Sequence, residues 1–85
     1  MSAESGMRID KFLKVSRLIK RRTVAAEACE AGRVLVNGNA AKPSTKVKVG
    51  DVLEIVFGDR VVKAEILELK DTTKKEEAAG LYKLL

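Results

Sequence analysis

Met7-Arg8-Ile9-Asp10-Lys11-Phe12-Leu13-Lys14-Val15-Ser16-Arg17-Leu18-Ile19-Lys20-Arg21-Arg22-Thr23 is the stretch whose reading decides the fold. Placed at 100° per residue, Ile9, Phe12, Leu13, Ser16 and Ile19 gather on one arc, while Arg8, Lys11, Lys14 and Arg17 follow one another at i+3 on the opposite arc. This pattern predicts an amphipathic helix with an apolar core face and a cationic outer face. Lys20 would fall back on the apolar side, so the helix should end near Leu18. Lys20, Arg21 and Arg22 then occupy the turn to a second helix, and Asp10 is placed to serve as the first helix's N-cap.

Between Arg8 and Arg22 there are seven basic residues and one acidic, a local charge of +6 that leaves −1 for the rest of a chain whose total is +5. No Glu stands at i+4 to offset the repulsion among these cations. Charge confined to one segment points to a docked polyanion, since charge serving solubility alone would be scattered.

With 85 residues there is room for one small domain, which buries roughly 60% of its unfolded surface. A hydrophobic share of 46% is that of a folded chain. Phe12, Phe57 and Tyr82 are the only aromatics, which argues against a platform for stacking bases. Cys29 is a single cysteine with no histidine anywhere to activate it, so it reads as a small buried hydrophobe. No apolar run has the length of a signal segment or a membrane span, and the composition reads as cytoplasmic.

Outward from the opening stretch, residues 1–6 are small and polar and read as a flexible extension, with Met7 as a natural start. Thr23 is placed to cap a second helix that runs to about Ala31, with Gly32 stopping it at C′. The period then shortens. Val34-Leu35-Val36, a tight turn at Asn37-Gly38 and Asn39-Ala40-Ala41 predict a compact hairpin or corner, followed by a loop at Lys42-Pro43-Ser44-Thr45-Lys46 and a turn at Val49-Gly50-Asp51. Leu53, Ile55 and Phe57 alternate with Val52, Glu54 and Val56, and beyond Gly58-Asp59 Val62, Ala64 and Ile66 alternate with Lys63, Glu65 and Leu67, which predicts a second antiparallel hairpin. Residues 70–85 form a C-terminal helix or tail: Thr73 and Glu76 fit a capping box, Ala78, Ala79, Leu81, Tyr82 and Leu85 fit helical spacing, and Gly80 weakens it.

No metal-ligand spacing, phosphate loop or convergent acid pair occurs, so neither a cofactor nor a catalytic centre is expected. Arg33, Lys42, Lys46 and Lys48 extend the cationic surface if the first β segments lie beside the first helix, although Lys46 and Lys48 are equally well explained as solvated loop lysines.

The run Met7 to Leu13, then Arg17 to Thr23, Gly32-Arg33-Val34, Val36-Asn37-Gly38, Lys42-Pro43-Ser44 and Val49-Gly50-Asp51, in this order and spacing, resembles the S4 RNA-binding domain over residues 7–69. The resemblance implies an α+β fold in which two N-terminal helices pack beside a small antiparallel sheet. It implies phosphate contacts from Arg8, Lys11, Lys14, Arg17, Arg21 and Arg22, with Lys20, Arg33 and Lys42 completing the RNA-binding set. Asp10 would orient a neighbouring arginine as well as cap. The single-domain form and residues 69–79 resemble small bacterial S4 factors of ribosome-associated quality control. This implies a monomer, free of membrane, that catalyses nothing and holds large-subunit rRNA and P-site tRNA on the large ribosomal subunit, while an alanine-tailing quality-control factor extends the stalled chain. Two further S4 roles stay open: a heat-shock-type rescue factor for stalled large subunits, and an accessory module of an RNA-modifying enzyme. A DNA-binding helix-turn-helix or a membrane-surface helix fits less well, because Ile9, Phe12 and Leu13 are needed to close so small a core.

Overall fold

The first helix is short because both of its ends are fixed by partners outside it. In the computed structural model, which describes residues 6–70 and 78–85, a strand β1 (Met7–Arg8) leads directly into α1 (Ile9–Val15). β1 pairs antiparallel with β4 (Lys46–Val47), Met7 opposite Val47 and Arg8 opposite Lys46. That pairing carries the preceding loop to the start of α1. The Ile9 N–H donates to the Thr45 carbonyl at 2.8 Å and the Asp10 N–H to the Pro43 carbonyl at 3.3 Å. Backbone carbonyls thereby satisfy N–H groups that a side-chain cap would otherwise take. Asp10 is consequently not the N-cap: Arg8 holds that position without a side-chain bond, and Asp10 lies in the first turn.

α1 also stops earlier than the expected Leu18. The Ser16 hydroxyl donates to the Leu13 carbonyl at 3.3 Å and accepts the Leu18 N–H at 3.4 Å. Arg17 adopts the left-handed conformation with φ 64°, and the Ile19 N–H reaches back to the Leu13 carbonyl at 3.1 Å. The reversal returns Ile19 to the core. A β-carbon in this conformation costs roughly 1–2 kcal/mol, which glycine would not incur.

α2 (Arg22–Glu30) begins one residue before the expected cap, with Arg21 rather than Thr23 at the N-cap and no side-chain bond there. Its far end follows the expectation. Gly32 (φ 76°) donates its N–H to the Cys29 carbonyl at 3.0 Å and Arg33 donates to the Ala28 carbonyl at 2.9 Å, the paired bonds of a Schellman stop.

The remaining strands are β2 (Val34–Val36), β3 (Asn39–Ala40), β5 (Val52–Phe57), β6 (Arg60–Ile66) and β7 (Tyr82–Leu84). They form one antiparallel sheet in the order β3-β2-β5-β6-β7. Both expected hairpins are present. Asn37 and Gly38 have φ of 52° and 87°, the paired positive values that a two-residue turn matched to strand twist needs. Phe12, Ile9 and Leu13 from α1, Ala25 and Cys29 from α2, and Val34, Leu53, Ile55 and Ile66 from the sheet close one core, with Val47 of β4 and Leu81 at its margins.

Of the expected C-terminal helix or tail, Ala78 is helical where the chain is described, and beyond it the chain continues as a strand. A 3-10 turn (Ala79–Leu81) seats Leu81 in the core, and Tyr82–Leu84 pairs with β6, Tyr82 opposite Ile66 and Leu84 opposite Ala64. The open hydrogen-bonding edge of β6 outweighs the weak helical spacing there. The capping box at Thr73 and Glu76 lies outside the described residues, as do residues 1–5 of the N-terminal extension.

A side-chain tie locks the two hairpins together. The Asn37 Nδ2 donates to Asp51 Oδ1 at 3.1 Å, the Lys48 N–H donates to Asp51 Oδ2 at 3.0 Å, and the Val52 N–H donates to Asn37 Oδ1 at 3.0 Å. Asp51 is buried. Asp51→Ala should lower unfolding free energy by about 2 kcal/mol, the cost of stranding two donors that had a charged acceptor. Urea titration checks this, and a midpoint shift without a change in slope is the expected form.

Candidate nucleic-acid interface

A buried carboxylate with two half-exposed arginines is the centre of the cationic surface. Asp10 is 3% exposed. It accepts from Arg8 Nε at 3.3 Å (Oδ1) and Arg8 Nη2 at 3.1 Å (Oδ2), and from Arg22 Nη2 at 3.4 Å (Oδ1). The three residues come from β1, the first turn of α1 and the first position of α2, so the fork exists only once these segments pack. The Arg8 and Arg22 side chains stay 47% and 46% exposed, which leaves most of their N–H donors open to a ligand. Planar guanidinium groups held this way suit phosphate oxygens.

The loop that caps α1 brings further cations. Lys42 and Thr45 close a turn on each other, Lys42 N–H donating to Thr45 Oγ1 and Thr45 N–H to the Lys42 carbonyl, both at 2.9 Å. Because the Pro43 and Thr45 carbonyls take the Asp10 and Ile9 N–H groups, Lys42 is tied to the same end of α1 as the fork. Lys46 is exposed and lies opposite Arg8 in the β1–β4 ladder. Its sequence context reads equally well as that of a solvated loop lysine, which leaves it outside the expected RNA-binding set. The alternation of Lys46 and Lys48 about the buried Val47 was the signal that could have placed it on a strand.

The i+3 strip is shorter than expected. Lys11 and Lys14 stand on α1 itself, whereas Arg8 precedes it in β1 and Arg17 follows it in the left-handed turn. Lys20 and Arg21 are exposed in the connection to α2. Arg33 is exposed beyond the opposite end of α2 from Arg22, separated by nine helical residues or roughly 13 Å. No hydrogen bond or ion pair joins it to the fork among the described residues.

The S4 domain sequence profile matches residues 7–53, a span that holds the whole fork, the capping loop and both helices. The chain belongs to the S4 domain family. It is 61% identical over 79 residues to the RQC P-site tRNA stabilizing factor of Bacillus subtilis, 93% of this chain and 92% of that protein. It is 36% identical over 81 residues to the heat shock protein 15 homolog of Haemophilus influenzae, 94% of this chain and 62% of that protein. Among solved structures, the trimeric heat shock protein 15 of Vibrio cholerae matches with a TM-score of 0.86 at 32% identity, covering 94% of this chain and 82% of that one.

Within this S4 domain Cys29 packs behind the fork. Burial, with the nearby negative charges of Asp10 and Glu30, pushes its thiol up to about 11. The direction is against reactivity, because the thiolate is the nucleophile and a raised value holds the proton on sulfur. Among the described residues no group of three His, Cys, Asp or Glu side chains could hold a metal ion. Iodoacetamide at pH 8 should alkylate Cys29 of the native protein at least about 100-fold more slowly than in urea, the factor set by two pH units of lost thiolate before burial is counted. Mass spectrometry over a time course reads the two rates.

Proposed function

We propose that this chain is a non-enzymatic, cytoplasmic RNA-binding factor that sits as a monomer on the large ribosomal subunit and stabilises P-site peptidyl-tRNA during ribosome-associated quality control, supporting alanine tailing of the stalled chain. The observation that carries this reading is the Asp10-centred arginine fork. Two bidentate-capable guanidinium groups, held by a buried carboxylate and flanked by Lys42 and Lys46, suit a folded RNA whose phosphates stand at fixed spacing. Lys11, Lys14, Arg17, Lys20 and Arg21 extend the contact along α1 and the connection to α2. The similarity to the Bacillus subtilis factor, whose name specifies P-site tRNA, supports the choice of RNA. A body this small with one cationic end suits wedging between large-subunit rRNA and tRNA, and its specificity then comes from touching both.

Similarity to heat shock protein 15 favours a second reading, a rescue factor for stalled large subunits with the same RNA surface and no link to tailing. The two readings differ in what the protein co-purifies with. Recovery of large subunits together with peptidyl-tRNA and an alanine-tailing factor supports the first, and recovery of large subunits and peptidyl-tRNA without the tailing factor supports the second. Enrichment of small subunits or free mRNA counts against both.

Asp10→Asn tests the fork directly, because it adds one positive charge to a chain of net +5. Were charge density alone responsible, the substitution would tighten RNA binding. Positioned arginines predict the opposite, a weaker complex with large subunits, and Arg22→Ala should weaken it further. With about five phosphates engaged, affinity should fall steeply with salt, and Arg22→Ala should make the log-log slope shallower by just under one. Filter binding at several potassium chloride concentrations measures this, and an affinity independent of salt would sink the proposal.

A further inference from the structure

We infer that Arg17 is a dedicated RNA-contacting residue whose backbone is held in a conformation unfavourable to any side chain, so that this S4 domain gives up fold stability at residue 17 for a phosphate contact. The inference rests on the RNA-binding reading above and adds a claim about one position. At φ 64° Arg17 occupies the left-handed region at the end of α1, where helices ordinarily place glycine. Among the described residues, the side-chain contacts that hold this turn come from its neighbours. The Ser16 hydroxyl bridges Leu13 and Leu18, the Ile19 N–H bonds the Leu13 carbonyl, and Ile19 anchors the exit in the core.

The Arg17 side chain takes no part in that arrangement. Its own N–H donates to the Lys14 carbonyl at 3.1 Å, a bond that any residue other than proline would make. The side chain is exposed, and its guanidinium has no hydrogen-bond or ion-pair partner among the described residues. For the isolated domain, glycine is therefore the better residue here. The charge also stands among Lys14, Lys20 and Arg21, where a further cation is repelled until an anion arrives. An arginine that strains the backbone, makes no side-chain hydrogen bond or ion pair among the described residues and adds to like-charge repulsion does its work on a ligand. In the chain it stands between the α1 lysines and the Lys20-Arg21 connection, in the turn that ends the helix.

The test uses the full chain and purified bacterial large ribosomal subunits, with Arg17→Gly, Arg17→Ala and Arg17→Lys compared with Arg22→Ala. Arg17→Gly should melt no lower than the parent and higher than Arg17→Ala, because only glycine relieves the strain. Both should bind roughly eightfold more weakly at 0.1 M salt, with a log-log salt slope shallower by about 0.9, the value of one phosphate contact. Arg17→Lys should retain most of the slope, since it keeps the charge and loses only the fork geometry. Melting of Arg17→Gly several degrees below the parent would overturn the inference by showing that the side chain supports the fold. Unchanged affinity in the glycine and alanine variants while Arg22→Ala weakens binding would overturn it and leave the RNA-binding reading standing. If Arg22→Ala binds as tightly as the parent as well, the RNA-binding reading falls with it.

Discussion

The ion pairing at Asp10 is the constraint on which the rest of this domain depends. A carboxylate withdrawn from water is costly unless it is paired and hydrogen-bonded, and Asp10 is 3% exposed with bonds from two arginines. Its side chain ties β1 to α2, and its backbone N–H ties α1 to Pro43. One residue therefore fixes three segments and the capping loop relative to one another. Loss of one arginine leaves the carboxylate with the other, and only loss of both would strand a buried charge, so the packing of the helices and the placing of the cations are coupled through Asp10. The residue that positions the two arginines is also the residue that makes the surface locally less positive.

The sheet serves as a rigid and electrically neutral base for this arrangement. On the face of β5 and β6 turned from the helices, Glu54 stands opposite Lys63, and Glu65 opposite Lys83 of β7. Residues 52–70 carry three basic and four acidic side chains, a net −1, so this half offers a polyanion little attraction. Charge is thus partitioned along the chain: most cations lie on β1, α1, the α1–α2 connection and the loop that caps α1, and compensated pairs lie on β5, β6 and β7. A ligand that followed the potential would reach the Asp10 fork first.

What could be read in the sequence was what local periodicity carries. The α1 core face, the Gly32 stop, the Asn37-Gly38 turn and the β5–β6 hairpin each rest on residues within a few positions of one another, and each stands where it was expected. The failures share a cause in long-range pairing. Asp10 reads as an N-cap because nothing local reveals that Pro43 and Thr45 carbonyls arrive at the helix start, and Lys46 reads as loop because its partner strand is the two residues Met7–Arg8. The helical spacing around Leu81 loses to the edge of β6, a partner that no window of the sequence contains. The cations were legible in the charge pattern, and the orienting of an arginine by Asp10 only through the S4 resemblance; that Arg8 and Arg22 share the one carboxylate follows from packing. Arg17 shows the reverse case: it fits the i+3 strip on paper, and only the buried Ser16 hydroxyl and the return of Ile19 to the core take it off the helix.

α1 has only seven residues, far fewer than a helix needs to persist alone in water. Its basic strip therefore exists only while the core face of Ile9, Phe12 and Leu13 is buried and the capping loop is in place. Conversely, the cations crowded at that end repel one another and favour opening of the same segments. A polyanion that engages the folded surface and has less hold on the opened chain removes this repulsion and, by linkage, stabilises the fold it binds. Stability and recognition are coupled at the two helices, while the sheet, with its opposite charges facing each other, is spared that conflict.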